Sequence, residues 1–181
     1  VAGGRAGRSG RSGAAVGCVL EQNGVGFPFK RRRQRVSIGF GFTDGRRDAS
    51  YYDTLASEAR LASVVAIALG QIPHGHWFKL GRSLTPTGTA RALLSWSASM
   101  FEYFMPLLVM RAYPGPLLDE TYSAVVSRQI QYGAQRGVPR GVSESAYNAQ
   151  DLERNYQYRA FGVPGLGLKR GLGDDLVIAP Y

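Results

Sequence analysis

Charge is distributed unevenly along the 181 residues, and this limits where a folded core can form. Residues 1–47 contain ten Lys and Arg against two acidic residues, whereas residues 48–181 contain twelve against eleven. Residues 1–26 are rich in Gly, Arg and Ser and offer almost nothing to bury, so they cannot offset the entropy of an ordered backbone. We therefore predict a basic, disordered leader over residues 1–35 and a folded body over residues 36–181.

The net charge of +9 invites a nucleic-acid interpretation, which depends on where the basic residues lie. The Lys30–Arg35 cluster could bind phosphates without sequence preference. The excess of positive charge ends at residue 47, so a solvated charge run is favoured and no nucleic-acid partner is predicted. His74 and His76 have no Cys or acid nearby to complete a metal site, so we predict no metal and no other cofactor.

Hydrophobic periodicity predicts a mainly α-helical body. Three helices of about 20 residues are expected at about 48–70, 89–110 and 117–136. Gly70 and Gly137 suit the left-handed residue that commonly follows a helix. The apolar runs within these segments are shorter than the ~18 to 20 residues that a membrane-spanning helix needs, so they are interpreted as core.

The remaining segments predict shorter elements. A short helix is expected to begin at Glu144 or Ser145, with Ser143 as its cap. Residues 36–42 alternate apolar and small side chains, which favours a strand, and residues 156–173 are expected to form loops and short strands.

Two acidic residues stand without an opposite charge, and they are the strongest candidates for chemistry. Glu58 lies on the apolar stripe of the first predicted helix, and Glu144 lies where a Gly- and Pro-rich loop is expected to enter a helix. An unpaired carboxylate is costly to bury, so such residues often serve acid/base or nucleophilic reactions. The alternatives are that Glu58 faces solvent at the edge of the stripe and that Glu144 is a first-turn glutamate stabilised by the helix dipole.

Other residues could surround these acids. Glu102 also lies among apolar residues, and Trp96 and Tyr103 nearby offer aromatic faces that could pack against sugar rings or into a core. Asp53 lies about 140° around the predicted helix from Glu58, at ~100° per residue, so it is a helper or a surface residue rather than a partner.

A series of short motifs then identifies a known family. In chain order they are Ser37-Ile-Gly-Phe40, Asp48-Ala-Ser-Tyr-Tyr-Asp53, Leu55-Ala-Ser-Glu-Ala-Arg-Leu-Ala62, His76-Trp-Phe78, Leu94-Ser-Trp-Ser97, Met100-Phe-Glu-Tyr103, Ser143-Glu-Ser-Ala-Tyr-Asn148, Asn155-Tyr-Gln-Tyr158, Phe161-Gly-Val-Pro-Gly-Leu-Gly-Leu-Lys-Arg-Gly171 and Val177-Ile-Ala-Pro-Tyr181. From residue 36 to residue 181 the chain resembles the central, glycoamylase-like domain of cyclic β-1,2-glucan synthases. Arg140 departs from this family pattern, which usually has Trp there.

The resemblance implies a fold and an activity. The fold would be a partial (α/α)₆ barrel, in which this chain supplies four or five of twelve helices and a few short strands. The activity would be retaining transglycosylation of a β-1,2-glucan chain during cyclic β-1,2-glucan synthesis. Glu58 would be the nucleophile and Glu144 the acid/base. Around the sugar the family pattern would place Asp53, Trp96, Glu102, Tyr103 and Tyr147.

The resemblance also implies partners and leaves alternatives open. The intact protein would supply the remaining barrel helices and a membrane-embedded glycosyltransferase domain, at the cytoplasmic face of the inner membrane. Because the chain holds too few helices for a whole barrel, it is expected to be a fragment, and a catalytically silent truncated product is one alternative. Related families with this barrel are inverting β-1,2-glucanases, which is another.

Overall fold

The computed structural model divides the chain into two compact units. The first unit consists of Val1–Asp53 and Ser63–Lys79, and the second of Thr54–Ala62 and Leu80–Tyr181. The residues that the structure describes are 29–30, 35–38, 40–41, 43, 45–47 and 49–179.

Some predictions fall outside these described residues. The leader up to residue 28 lies outside them, as do residues 31–34 of the basic cluster and the predicted helix start at residue 48.

The first unit contains short antiparallel strands. β1 (Phe29–Lys30), β2 (Arg35–Ser37) and β5 (Tyr51–Tyr52) form a three-stranded sheet with β2 in the centre. β3 (Phe40–Gly41) pairs with β4 (Arg46–Arg47). A strand near residues 36–42 was predicted, and β2 and β3 confirm it in part.

Helix α1 spans Ala59–Ala68 and continues from the second unit into the first. In the first unit, Val36, Ala66 and Ile72 form a buried cluster against which Phe29 and Ile67 pack. These contacts give the short strands an apolar surface to cover, which isolated two-residue strands would lack.

The predicted end of this helix is confirmed and its predicted start is wrong. Gly70 has φ +69, and the amide of Gln71 donates to the carbonyl of Ala66 at 2.9 Å, as expected when a glycine ends a helix. At the other end Tyr51 and Tyr52 extend the sheet by pairing with β2 instead of winding into a helix. Aromatic side chains favour such pairing, and the sheet partner overrides the helical spacing.

His76 belongs to the core of the first unit. It lies in a 3₁₀ helix over His74–Lys79 and is completely buried. Its Nε2 lies 2.9 Å from the Oγ of Ser63, and its ring meets Phe29 edge-on at 5.7 Å. A buried imidazole with a hydroxyl partner needs no metal to account for it.

The second unit is built on one long helix and two hairpins. β6 (Leu84–Thr87) and β7 (Ala90–Leu93) form the first hairpin, and α2 (Met100–Phe104) continues into a 3₁₀ helix. The long helix, α3, spans Leu117–Arg136. β8 (Ser145–Gln150) and β9 (Tyr156–Arg159) form the second hairpin.

Helix α3 confirms the third predicted helix at both ends. Asp119 and Glu120 lie in its first turn, at the positive end of the dipole. Gly137 follows with φ +67. A Cβ on Gly133 would stand 2.7 Å from the carbonyl oxygen of Val138, so a glycine there lets the chain turn back against its own helix.

The prediction of a mainly α chain with a partial (α/α)₆ barrel is wrong, because the described residues form a mixed α/β structure. Residues 84–93 are a hairpin where a helix was expected from residue 89, and Gly88 at φ +73 makes its turn. Residues 145–150 form a strand and not a helix. Their side chains alternate between more and less exposed positions, which is a period of two. Within the described ranges, none of the helices combines the length and apolar character that crossing a bilayer requires.

Candidate active site

Three acidic residues that are distant in sequence come together in the second unit. Partial burial raises the pKa of the Glu58 carboxyl above its ordinary value, and the negative charges of Glu144 and Glu102 raise it further. Hydrogen bonds give the same placement. Ser99 meets both the carboxylate of Glu144 and the amide of Glu102. Arg60, two residues after Glu58, donates to the carbonyl of Tyr103, the residue next to Glu102. The fold thus brings the two strongest sequence candidates to one place and adds a third carboxylate.

Glu58 lies immediately before helix α1 and not on its apolar stripe. The amide of Leu61 donates to the carbonyl of Glu58 at 3.0 Å, which places Glu58 at the opening turn of the helix. The residue is exposed, whereas Ala59 and Arg60 beside it are buried. Its carboxylate can therefore meet a ligand from solvent.

Arg60 fixes the start of this helix inside the second unit. The residue is buried, and its guanidinium donates to the hydroxyl of Tyr122 at 2.7 Å and to the carbonyl of Tyr103 at 3.0 Å. It also lies over the ring of Tyr122, at 5.4 Å from the centroid. These contacts join Arg60, two residues after Glu58, to both α2 and α3. The opening turn of α1 is therefore held from two sides.

Glu102 is enclosed by donors from its own loop. It is 5% exposed. Oε1 accepts from the amide of Trp96 at 2.9 Å, and Oε2 accepts from both the amide and the hydroxyl of Ser97 at 2.7 Å. This carboxylate organises the loop in which Ala98 adopts φ +58, a conformation uncommon for a residue other than glycine.

The glycine-rich segment 161–171 packs closely on that loop. The amide of Val163 donates to the carbonyl of Ala98 at 3.2 Å, and the amide of Lys169 donates to the carbonyl of Trp96 at 2.9 Å. A Cβ on Gly162 would overlap the carbonyl oxygen of Ser97, so only a glycine permits this approach.

The segment before Glu144 is held by a side chain of α3. The amide group of Gln129 donates to the carbonyl of Val142 and accepts from its N–H, both at 3.0 Å. Ser143 then accepts the amide of Phe101 at 2.9 Å, so the hydroxyl predicted to cap a following helix instead caps a group of α2. Glu144 is thereby placed beside α2.

Two hydroxyls hold the carboxylate of Glu144 itself. Ser99 Oγ donates to Oε1 and Tyr158 Oη donates to Oε2, each at 2.9 Å. Ser99 also caps α2 by accepting the amide of Glu102 at 3.0 Å. The loop of Glu102 and the carboxylate of Glu144 are thus joined through one serine.

The other predicted site residues occupy different environments. Trp96 is 61% exposed and offers an aromatic face to solvent, whereas Tyr103 is completely buried with its hydroxyl at 2.7 Å from the carbonyl of Leu93. Tyr147 is half-buried and meets Phe161 edge-on.

Asp53 belongs to the first unit. There it is exposed and forms an ion pair with Arg35 at 3.7 Å.

Sequence reasoning missed the residues that hold the candidates: Arg60, Ser97, Ser99, Gln129 and Tyr158. Only one of them carried a local signal, since Ser99-Met-Phe-Glu102 has the spacing of a helix-capping box. The others act across long stretches of chain, which no local pattern reveals. In the part of the chain that the structure describes, His, Cys, Asp and Glu form no group able to hold a metal ion.

Comparison with known proteins shows which protein this chain is similar to in sequence. No family model matches it. Over 155 residues, which are 86% of the chain, it is 54% identical to the cyclic beta-(1,2)-glucan synthase NdvB of Rhizobium meliloti (strain 1021). The chain spans only 6% of the length of that relative. The resemblance to a segment of a cyclic β-1,2-glucan synthase is therefore confirmed, but this match gives no support to a glycoamylase-like domain or an (α/α)₆ barrel.

Proposed function

We propose that this chain, which matches a short segment of a cyclic β-1,2-glucan synthase, supplies the catalytic carboxylates of a transglycosylase acting on β-1,2-glucan. The match to that synthase supports the substrate class. The observation that carries the proposal is that helix α2 holds both acids: Ser99 at its start donates to Glu144, and Arg60, two residues after Glu58, donates to the carbonyl of Tyr103. The raised pKa of Glu58, to which the charge of Glu144 contributes, agrees with this placement. A pair of carboxyl groups is the machinery that most glycoside-cleaving enzymes use.

The proposed roles follow the family pattern. Glu58 attacks the anomeric carbon and forms a glycosyl ester, while Glu144 gives a proton to the departing glycosidic oxygen. Glu144 then removes a proton from the hydroxyl of the incoming sugar, whose oxygen takes the glucan from Glu58. Retention of configuration in this way needs carboxyl groups about 5–5.5 Å apart, whereas inversion needs ~6.5–9.5 Å.

The raised pKa of Glu58 sets the acid limit of this mechanism, because the nucleophile must be ionised to attack. Forming the ester neutralises Glu58, which removes a negative charge from the surroundings of Glu144. In the second step Glu144 acts as the base. Because the pKa of Glu58 is raised, the reaction is expected to fail on the acid side at a higher pH than it would with an unperturbed glutamate nucleophile.

Exchange of the segment into the full-length relative tests the function. The 155 matching residues of the synthase are replaced by those of this chain, and transfer on linear β-1,2-glucan is measured. We expect Glu58→Gln and Glu144→Gln to reduce transfer at least about 100-fold. Glu153→Gln, an exposed glutamate in the loop of the second hairpin, is the control and is expected to stay within twofold. Full transfer by Glu144→Gln would refute its role, and an inactive exchange protein would refute the proposal.

Azide assigns the roles separately. On a β-glucoside donor whose leaving group departs without protonation, such as an activated aryl glycoside, added azide should rescue Glu144→Ala with a β-glycosyl azide as product, since Glu58 can then still form the ester. It should rescue Glu58→Ala with the α-product, since azide then attacks directly. The reverse assignment of products would exchange the two roles, and failure of both rescues would favour an inverting mechanism.

The glycosyltransferase partner domain and the inner-membrane location stay predictions.

A further inference from the structure

The two oxygens of Glu144 are held by donors with opposite exposure. The Ser99 hydroxyl that meets Oε1 is completely buried, whereas the Tyr158 residue that meets Oε2 is 64% exposed. The carboxylate therefore has one enclosed side and one side that faces the surface.

The enclosed side has a fixed proton direction. Ser99 Oγ accepts the amide of Glu102 at 3.0 Å, which occupies one lone pair. The nearest other hydroxyl, that of Ser97, lies 3.2 Å away, and its proton is used on Oε2 of Glu102 at 2.7 Å. The proton of Ser99 is consequently directed to Oε1 of Glu144, so Oε1 is engaged by a buried donor.

The exposed side is formed by the second hairpin. Tyr158 lies opposite Ala146, two residues beyond Glu144, so the pairing of β8 with β9 sets the place of its hydroxyl. Tyr156 follows the same side of β9 and is similarly exposed, at 63%, but no hydrogen bond joins its hydroxyl to Glu144.

We propose that Ser99 and Tyr158 are positioning residues with different tasks: Ser99 fixes Oε1, and Tyr158 aims Oε2, the oxygen that exchanges the proton with the sugar. This inference rests on the proposed role of Glu144. In the first step the proton leaves Oε2 for the departing glycosidic oxygen, and in the second it returns from the incoming hydroxyl. Tyr158 holds Oε2 toward the surface where that oxygen arrives and itself contributes no proton to the balance.

Tyr158→Phe in the exchange protein tests the exposed side, with Tyr156→Phe as the matched control. We expect Tyr158→Phe to lower kcat about tenfold with KM within twofold, because the aim of Oε2 matters most in the transition state. Tyr156→Phe should change neither quantity.

Three substitutions of Ser99 separate positioning from helix capping. Ala removes both the hydroxyl and the cap, whereas Gly removes the hydroxyl and keeps most of the capping effect. We expect both to lower kcat about equally, and Thr to restore it. A Gly variant with unchanged kcat would reduce Ser99 to a cap and overturn its role.

The outcomes also separate this inference from the proposed function. If Glu144→Gln keeps full transfer, the function itself fails. If Glu144→Gln is inactive while Tyr158→Phe behaves like Tyr156→Phe in kcat and in KM, only the positioning role of Tyr158 is overturned.

Discussion

The surroundings of Glu102 and Glu144 differ, although a single serine connects them. Three donors from its own loop surround Glu102, and two of these are backbone amides. Among the described residues, the hydrogen-bond donors to the carboxylate of Glu144 are two side-chain hydroxyls, and one of them belongs to an exposed tyrosine. A carboxylate whose oxygens are occupied by buried amides holds a loop together, whereas one that meets an exposed hydroxyl can exchange that partner for a substrate.

The largest expected effect tests whether Glu102 is structural. Glu102→Ala leaves the amides of Trp96 and Ser97 without their acceptor, which should reduce the free energy of unfolding by about 3 kcal/mol. Glu144→Gln should reduce it by less than about 1 kcal/mol, because the side-chain oxygen of Gln can still accept the Ser99 hydroxyl and the other partner, Tyr158, is exposed. Urea denaturation of the 181-residue chain measures both. Equal losses in the two variants would remove the distinction between these carboxylates.

A smaller effect separates the two serines between the acids. Ser97→Ala removes one hydrogen bond to Glu102 and none to Glu144, so it should cost about 1 kcal/mol of unfolding free energy. Transfer by the exchange protein should stay within twofold of the parent. A loss of transfer like that expected for the Ser99 variants would show that the loop of Glu102 also takes part in the reaction.

The smallest effect concerns the charge of Glu58. NMR titration of its carboxyl carbon in the 181-residue chain should give a pKa above the ordinary 4.5. Glu144→Gln should bring that pKa down, since it removes a repelling charge, whereas Glu153→Gln should leave it unchanged. An unaltered titration in Glu144→Gln would mean that the two carboxylates are not neighbours.

The same shift affects stability in a known direction. A raised pKa means that the folded state binds the proton more tightly than the unfolded chain does. Stability is therefore unaffected below the unfolded value near 4.5 and falls as pH rises through the folded-state pKa. Since Glu58 is exposed, solvent weakens the effect, and Glu58→Gln should gain less than about 1 kcal/mol at neutral pH.

The fold was predictable where local signals agreed. For α3, the spacing of apolar residues, the two acids in the first turn and Gly137 all indicate the same boundaries, and the structure has them. Residues 84–93 carried a Gly turn and β-branched Thr85 and Thr87, but their Ala and Leu also fit a helix. Pairing between the two strands decides that choice, and pairing is not a local property.

The candidate site was predictable in part. The unpaired character of Glu58 and Glu144 singled them out, but their approach depends on contacts such as Arg60 to Tyr122 and Gln129 to Val142. Ser143 was expected to begin a helix, and its hydroxyl instead meets the amide of Phe101, 42 residues away. A single sequence gives no access to such partners.

The hydrogen bonds between the Gln129 side chain and the backbone of Val142 determine which amino acids each of these two positions can accept. A side-chain amide here takes the part that a neighbouring strand would play, and it recognises only peptide groups. Any residue of suitable size at position 142 could therefore be held equally well, except proline, which brings no N–H. Position 142 can therefore accept other residues during evolution, whereas position 129 cannot change without losing these hydrogen bonds. One glutamine on α3 thus determines where Glu144 lies, two residues after the backbone that it binds.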